Sequence, residues 1–310
     1  MSVNHLIQSY FYLAAETTWG TQASSPAWYH LPILSNGIVM NRERRNSKPF
    51  TGIRQAKHGR SFRGNPAGSF SCYAYGWKPD TSSNSLMQML IDWACSQPEV
   101  INQDSKTIHW AEGPDVSNLG WLGMRCNGMT IEGSADSGTV TMTLDVIGKS
   151  EVAVATAQAI PNDREKIVEV DFQDCTFSIG GVAQEVRSFR YQIQNGLEVG
   201  YVNAAAPNQI AAGELVETVS CNLYKTSDTY NARNRAFTEN EETVQITLKG
   251  LHNGTGATGT YSVATLLFNR CAFIKPEDSR DKGLQNQMLS WDILKPDSST
   301  ASKTISYSEV

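Results

Sequence analysis

"TVTMTLDV" (Thr139–Val146) alternates from end to end. Val140, Met142, Leu144 and Val146 fall on one side, and Thr139, Thr141, Thr143 and Asp145 on the other. Successive side chains of a strand point to opposite faces, so this is a strand with one face buried and one face wet. "FRYQIQ" repeats the pattern with Phe189, Tyr191 and Ile193 against Arg190, Gln192 and Gln194. "TVQITLK" repeats it again with Val244, Ile246 and Leu248. Thr, Val and aromatic residues dominate these runs, as half-buried antiparallel strands require. Turn chemistry is expected at Asn36-Gly37, Asn127-Gly128, Gly180-Gly181, Asn195-Gly196 and Asn253-Gly254.

One helix stands out. "SLMQMLIDWACSQP" opens with Ser85 and Gln88 in capping-box register, puts Leu86, Met89 or Leu90, and Trp93 on one face, and stops before Pro98. A weaker counterpart spans Thr229 to Phe237. It belongs to a wider echo. Asn36-Gly37 returns as Asn195-Gly196, "SCYAY" (from Ser71) as "SCNLY" (from Ser220), "MTLDVI" (from Met142) as "LSWDIL" (from Leu289), and "MRCNGM" (from Met124) as "NRCAFI" (from Asn269). Four similarities in one order indicate a duplication. The expected class is mainly β, with two similar domains covering residues 1–155 and 159–310.

Charge is distributed unevenly. "NRERRNSKPFTGIRQAKHGRSFRG" (Asn41–Gly64) holds Arg42, Arg44, Arg45, Lys48, Arg54, Lys57, Arg60 and Arg63 against Glu43 alone. It carries +7, which leaves −12 for the rest of a 310-residue chain of formal net charge −5. A protein that lives on DNA is normally basic overall, and base-stacking platforms interleave aromatics with their cations. Here only Phe50 and Phe62 interrupt the run. Its three glycines and lack of apolar alternation make it a protruding hairpin or loop. Such an arm suits the acidic surface of another copy, with phosphate binding as the competing reading.

Chemistry for catalysis is not found. The five histidines are scattered, without HExxH or HxH, and GxSxG is absent. "GLHNGTGATG" (from Gly250) lacks the lysine and hydroxyl of a phosphate loop. The six cysteines stand 23 to 50 residues apart with no CxxC, which predicts buried thiols rather than disulfides. "MSVNHLIQSYFYLAAETTWGT" has neither the basic nor the long apolar region of a signal peptide, and no run is apolar enough to span a bilayer. A soluble, non-enzymatic protein made in a reducing cytosol, without cofactor or metal, is expected.

"AAETTWGTQASSPAWYHLPILS" (Ala14–Ser35), the Arg-rich run and "GNPAGSFSCYAYG" (Gly64–Gly76) together resemble the tail tube proteins of long-tailed bacteriophages. Glu16-Thr17-Thr18-Trp19-Gly20-Thr21 is similar to that family's early signature, and Gly68–Gly76 with Ser85–Cys95 to its strand and helix. "GWLGMRCNGMTIEGSADSGTVTMTLDVIGK" (Gly120–Lys149) is similar to the family's next segment. "YQIQNGLEVGYV" (from Tyr191) and "IAAGELVETVSCNLY" (from Ile210) resemble its second-half counterpart. The resemblance implies two tandem tail-tube-type β-sandwich or half-barrel domains, each with a short flanking helix. It implies rings, trimeric with pseudo-six-fold symmetry or otherwise hexameric, stacked into a hollow tube in the virion tail after assembly in the host cytoplasm. Tape-measure, tail-tip or baseplate, and tail terminator proteins would be its partners, and DNA would pass through without specific binding. Asn41–Gly64 occupies the place of the family's loop to the neighbouring ring, so its eight cations would make inter-ring contacts. A lumen should repel phosphate, and Asp145 and Glu217 are the candidates to face it. The alternatives are a β-rich nucleic-acid-binding module and another virion β-sandwich, such as a tail tip or decoration protein.

Overall fold

The computed structural model describes residues 10–24, 26–47, 58–78, 85–95, 104–111, 118–154, 167–224, 241–251, 261–274, 277–281, 284–295 and 302–310. In the first half these form β1 (Tyr10–Ala15), β2 (Tyr29–His30), β3 (Ser35–Asn36), β4 (Val39–Ser47), β5 (His58–Tyr73), α1 (Leu86–Cys95), β6 (Lys106–Ala111), β7 (Asn118–Ser134), β8 (Val140–Ile147) and β9 (Ser150–Val154). The second half forms β10 (Thr176–Ile179), β11 (Val182–Gln184), β12 (Val186–Gln194), β13 (Glu198–Gly200), β14 (Gln209–Ala211), β15 (Val216–Tyr224), β16 (Glu242–Leu251), β17 (Tyr261–Phe273), β18 (Glu277–Asp281), β19 (Leu284–Ile293) and β20 (Lys303–Glu309). The class is mainly β, and every strand pair is antiparallel.

The alternating runs fold as their period dictates. Val140, Met142, Leu144 and Val146 are buried, as are Phe189, Tyr191 and Ile193, and Val244, Ile246 and Leu248. Eight strands lie side by side in the order β4-β5-β8-β7-β12-β15-β19-β18. A second layer covers the apolar face of each half: β2-β1-β6-β7-β9 in the first, β11-β10-β16-β17-β20 in the second. β7 and β17 serve both layers, their early residues in one and their late residues in the other, which is how a strand turns the corner of a sandwich. Phe70, Trp121 and Met142 of the first half and Tyr191, Phe268 and Trp291 of the second all belong to one buried core.

The same ladders occur twice. β5-β8-β7 has the pairing of β15-β19-β17, β6-β7-β9 that of β16-β17-β20, and β2-β1-β6 that of β11-β10-β16. Register agrees as well. Ser71 faces Thr143 as Ser220 faces Ser290; Cys72 faces Met142 as Cys221 faces Leu289; Cys126 faces Val146 as Cys271 faces Ile293. Three of the four sequence echoes are therefore equivalent in space. The Asn-Gly echo is not: Asn36 faces Phe70, whose equivalent Val219 faces Tyr191, four residues before Asn195.

Turn signals divide similarly. Gly180 and Gly181, both at positive φ, make the two-residue hairpin between β10 and β11. Asn127-Gly128 makes no turn; β7 runs through it with a bulge against β8, and the Asn127 carboxamide oxygen accepts the Leu197 N–H at 2.6 Å. Asn253-Gly254, and the second helix expected at Thr229–Phe237, lie outside the described residues. The capping box forms as expected, with Ser85 N–H donating to Gln88 Oε1 at 2.8 Å and Gln88 N–H to Ser85 Oγ at 3.3 Å. Leu90, rather than Met89, joins Leu86 and Trp93 in burial. The helix sits between the halves: Asn195 Nδ2 donates to the carbonyls of Ala94 and Cys126, both at 2.9 Å, and Tyr307 O–H donates to Asp92 Oδ1 at 2.6 Å. All six cysteines are thiols, and burial pushes Cys72 up to about 12.

Candidate functional site: a polar sheet face and a basic ribbon

The eight-strand layer turns its second face away from the core, and period 2 decides what that face carries. One row across it reads Ser71, Thr143, Thr130, Gln192, Thr218, Asp292, each residue opposite the next. The adjacent row reads Tyr73, Thr141, Glu132, Arg190, Ser220, Ser290. Hydroxyls and carboxamides predominate. The Arg190 Nε to Glu132 Oε1 ion pair, at 3.1 Å, is half-exposed and contributes little to stability. A hollow of about 430 Å³ opens over this face between Glu132, Thr141, Arg190, Ser220 and Asn222, where the two halves meet.

Asp145 stands on this face, exposed, opposite Ser69 and Gly128. Partial burial raises its carboxyl above the ordinary value. Its equivalent in the second half is Asp292, also exposed and on the same face. Asp292 was not among the sequence candidates, although the "MTLDVI"/"LSWDIL" echo aligns it with Asp145. Glu217 is on the other face. It shares the core side of β15 with Val219 and Cys221, its side chain is 4% exposed, and it is held by the Lys303 ammonium and the Tyr191 hydroxyl, the latter at 2.7 Å. It therefore faces the interior of its own chain, not open solvent.

The basic run is a two-stranded ribbon. β4 and β5 stay paired from Asn41 opposite Asn65 out to Ser47 opposite His58, with a bulge between Arg42 and Arg44. Arg42 is exposed in β4; Arg44 and Arg45 follow on the same strand, and Arg60 and Arg63 lie on β5. Lys48, Arg54 and Lys57 lie outside the described residues. The register sets Arg45 opposite Arg60. The ribbon's base is bedded on the second half: Gly64 N–H donates to the Ala205 carbonyl at 2.9 Å, Tyr201 O–H donates to Asn65 Oδ1 at 2.9 Å, and the Arg63 guanidinium lies 5.1 Å over the Tyr201 ring. Residues 197–215, including the β13–β14 hairpin, hold the same place between β12 and β15 as the ribbon holds between the first-half strands.

The early signature forms a knot beside the corner of β7. The Glu16 carboxylate accepts from the N–H groups of Gly20 and Gly123, both at 2.8 Å, and from the hydroxyls of Ser105 at 2.6 Å and Thr107 at 2.8 Å. Trp19 Nε1 donates to the Gly123 carbonyl at 3.0 Å, while Lys149 and Arg125 lie 4.7 and 5.4 Å over its ring. Among the described residues, no cluster of His, Cys, Asp and Glu stands close enough to hold a metal ion, and no helix is long and apolar enough to cross a membrane.

A family model described as phage tail tube protein matches residues 7–292 of the chain. That span takes in the signature knot, the ribbon, the helix and the strands from β1 through all but the last residue of β19, and ends before β20. The chain belongs to the phage tail tube protein family. Its role is structural, in the virion tail, in assemblies with its own kind and with other tail proteins. A comparison with curated proteins gave no match.

Proposed function

We propose that this tail tube protein polymerises as stacked rings around a hollow lumen through which the viral genome leaves the capsid. The observation that carries the reading is the eight-strand layer, apolar on one face and lined with hydroxyls, carboxamides and a few carboxylates on the other. Tail tube family membership supplies the assembly, and that polar face supplies a wall suited to passing DNA. The two rows across this face hold one cation, Arg190, paired with Glu132, while Asp145 and Asp292 repel phosphates, so the duplex slides without salt-dependent friction. Six sectors per ring follow from three chains, each carrying two copies of the ladder set, one in residues 1–155 and one in 159–310. The repeated register supports this trimer over a hexamer of whole chains.

The ribbon of β4 and β5 reaches the adjacent ring. Its cations, Arg42, Arg44, Arg45, Lys48, Arg54, Lys57, Arg60 and Arg63, meet the acidic surface that the rest of the chain provides. The +7 carried by Asn41–Gly64 against −12 elsewhere supports a partner of opposite sign. Assembly in the host cytoplasm would begin on the tail tip or baseplate, follow the tape-measure protein, and end at the terminator.

Negative-stain electron microscopy of concentrated protein, with averaging of end-on views, tests the reading. Stacked hollow rings with three-fold or pseudo-six-fold symmetry are expected. Monomers that bind duplex DNA with a steep salt dependence would overturn it in favour of a nucleic-acid-binding module.

A further inference from the structure

"KTISYSE" (Lys303–Glu309) alternates, so Lys303, Ile305, Tyr307 and Glu309 share one face of β20 and Thr304, Ser306 and Ser308 the other. The second set is exposed, while Ile305 and Tyr307 pack against the core. β20 lies beyond the residues that the family model matches, and its counterpart in the first half's ladders is β9. β9 bonds within its own half, Trp121 Nε1 donating to Glu151 Oε2 at 3.2 Å. β20 reaches across.

Tyr307 O–H donates to Asp92 Oδ1 of α1 at 2.6 Å, and Lys78 Nζ donates to Glu309 Oε1 at 2.7 Å. Partial burial, with Asp92 as acceptor, raises the Tyr307 hydroxyl above its ordinary pKa, so it keeps its proton to donate. Lys303 works by relay. Its ammonium holds the Glu217 carboxylate, which also accepts from the Tyr191 hydroxyl at 2.7 Å, and that hydroxyl lies 3.7 Å from Cys95 Sγ. Asp92 and Cys95 stand three residues apart on α1 and so share a face of the helix. Two inward residues of β20 thus converge on one turn of α1, one directly and one through a carboxylate whose side chain is 4% exposed. A carboxylate at that depth depends on its partners, because removing one leaves a buried charge uncompensated. The Lys78–Glu309 pair is half-exposed at its Glu309 end and adds little.

The β7–β12 ladder fixes the register of the two halves but not the angle between them, since the twist between neighbouring strands ranges from about 10 to 35° in folded proteins. A tie from outside that ladder removes the freedom. We infer that β20 is a clasp: from the second half it grips α1 of the first, with Glu217 as its buried anchor, and it fixes the angle between the two sets of ladders. That gives Glu217 and Lys303 a use inside the chain. The grip itself stands apart from the tube reading; under that reading, the angle it fixes is the one between neighbouring sectors of a ring.

Hydrogen exchange by mass spectrometry on the unassembled full-length chain tests the clasp. Tyr307→Phe keeps the ring and removes only the hydroxyl, and Lys303→Met leaves Glu217 to Tyr191 alone. Each should speed exchange in peptides spanning Leu86–Cys95 by about tenfold, the effect of losing one hydrogen bond to a charged group. The β5–β8 ladder, which β20 does not touch, should keep its wild-type rates. Thr304→Val removes the bond from Asn269 Nδ2, at 3.2 Å within the second half, and should leave α1 unchanged. Should Lys303→Met fail to fold, Tyr307→Phe decides. Faster exchange confined to β17 and β20 would make β20 an edge strand of the second half alone and overturn the clasp. Equal acceleration along the whole chain would overturn it too, as general destabilisation. Neither result bears on the tube reading, which stands or falls on whether the wild-type chain forms rings.

Discussion

Glu16 accepts four hydrogen bonds with one carboxylate, and two of the donors are backbone N–H groups of glycines at positive φ. A residue so placed fixes the chain after β1 to the corner of β7. A side chain at Gly123 would meet Trp19 Nε1 at 2.7 Å, so the corner also needs its glycine. Glu16→Ala strands donors that water reaches poorly and should destabilise the chain by about 3 kcal/mol, read as a lower denaturant midpoint at unchanged slope. A loss below about 1 kcal/mol would show that the knot is ornamental. His109 offers a pH readout. It is buried against Trp28, ring centroids 4.0 Å apart, and burial lowers its pKa from 6.5 to about 4. The unfolded chain therefore binds the proton first. Stability contributed by the neutral ring is complete above about pH 6.5 and is lost as pH falls towards 4. His109→Phe should flatten that limb of a stability-versus-pH curve, and an unchanged limb would assign it to the carboxylates instead.

Elements carry the ribbon's role. Reversing Arg42, Arg44 and Arg45 to Glu changes three charges on β4, so circular dichroism should be unchanged while tube length by electron microscopy collapses. Raising salt should shorten wild-type tubes in the same direction, because exposed charge pairs are screened. Tubes of normal length from the triple variant would remove the ribbon from the stacking contact. The ribbon also marks what the sequence could and could not disclose. Period 2 is a local property, so Thr139–Val146 revealed its strand and its two faces directly, and Ser85 with Gln88 revealed the helix start. Glu217 was legible too: alternation puts it with Val219 and Cys221, hence inside, and only its sign suggested a lumen. Asn127-Gly128 misled because Asn-Gly serves a bulge as well as a turn. The β7–β12 pairing could not be read at all, since its strands look like any others and only the packed chain chooses their neighbours.

At the scale of the molecule, the two halves are joined by more than their connecting residues. The β7–β12 ladder, the Asn195 bonds to Ala94 and Cys126, the Tyr307–Asp92 bond and the Lys78–Glu309 ion pair at 2.7 Å all cross between them. A protease site placed between Ala155 and Ala159 would separate this junction from its tether. If the two sets of ladders are separate domains, both halves should stay folded after the cut and elute together at the mass of one chain. The covalent link no longer raises one half's effective concentration around the other, so the dissociation constant of the cut pair measures the ladder itself. The ladder, the Asn195 bonds and the Tyr307–Asp92 bond together predict that the cut halves remain bound through gel filtration. Halves that unfold on cutting would argue against two equivalent domains. Folded halves that part in plain buffer would show that the connecting residues, not the ladder, hold the halves together.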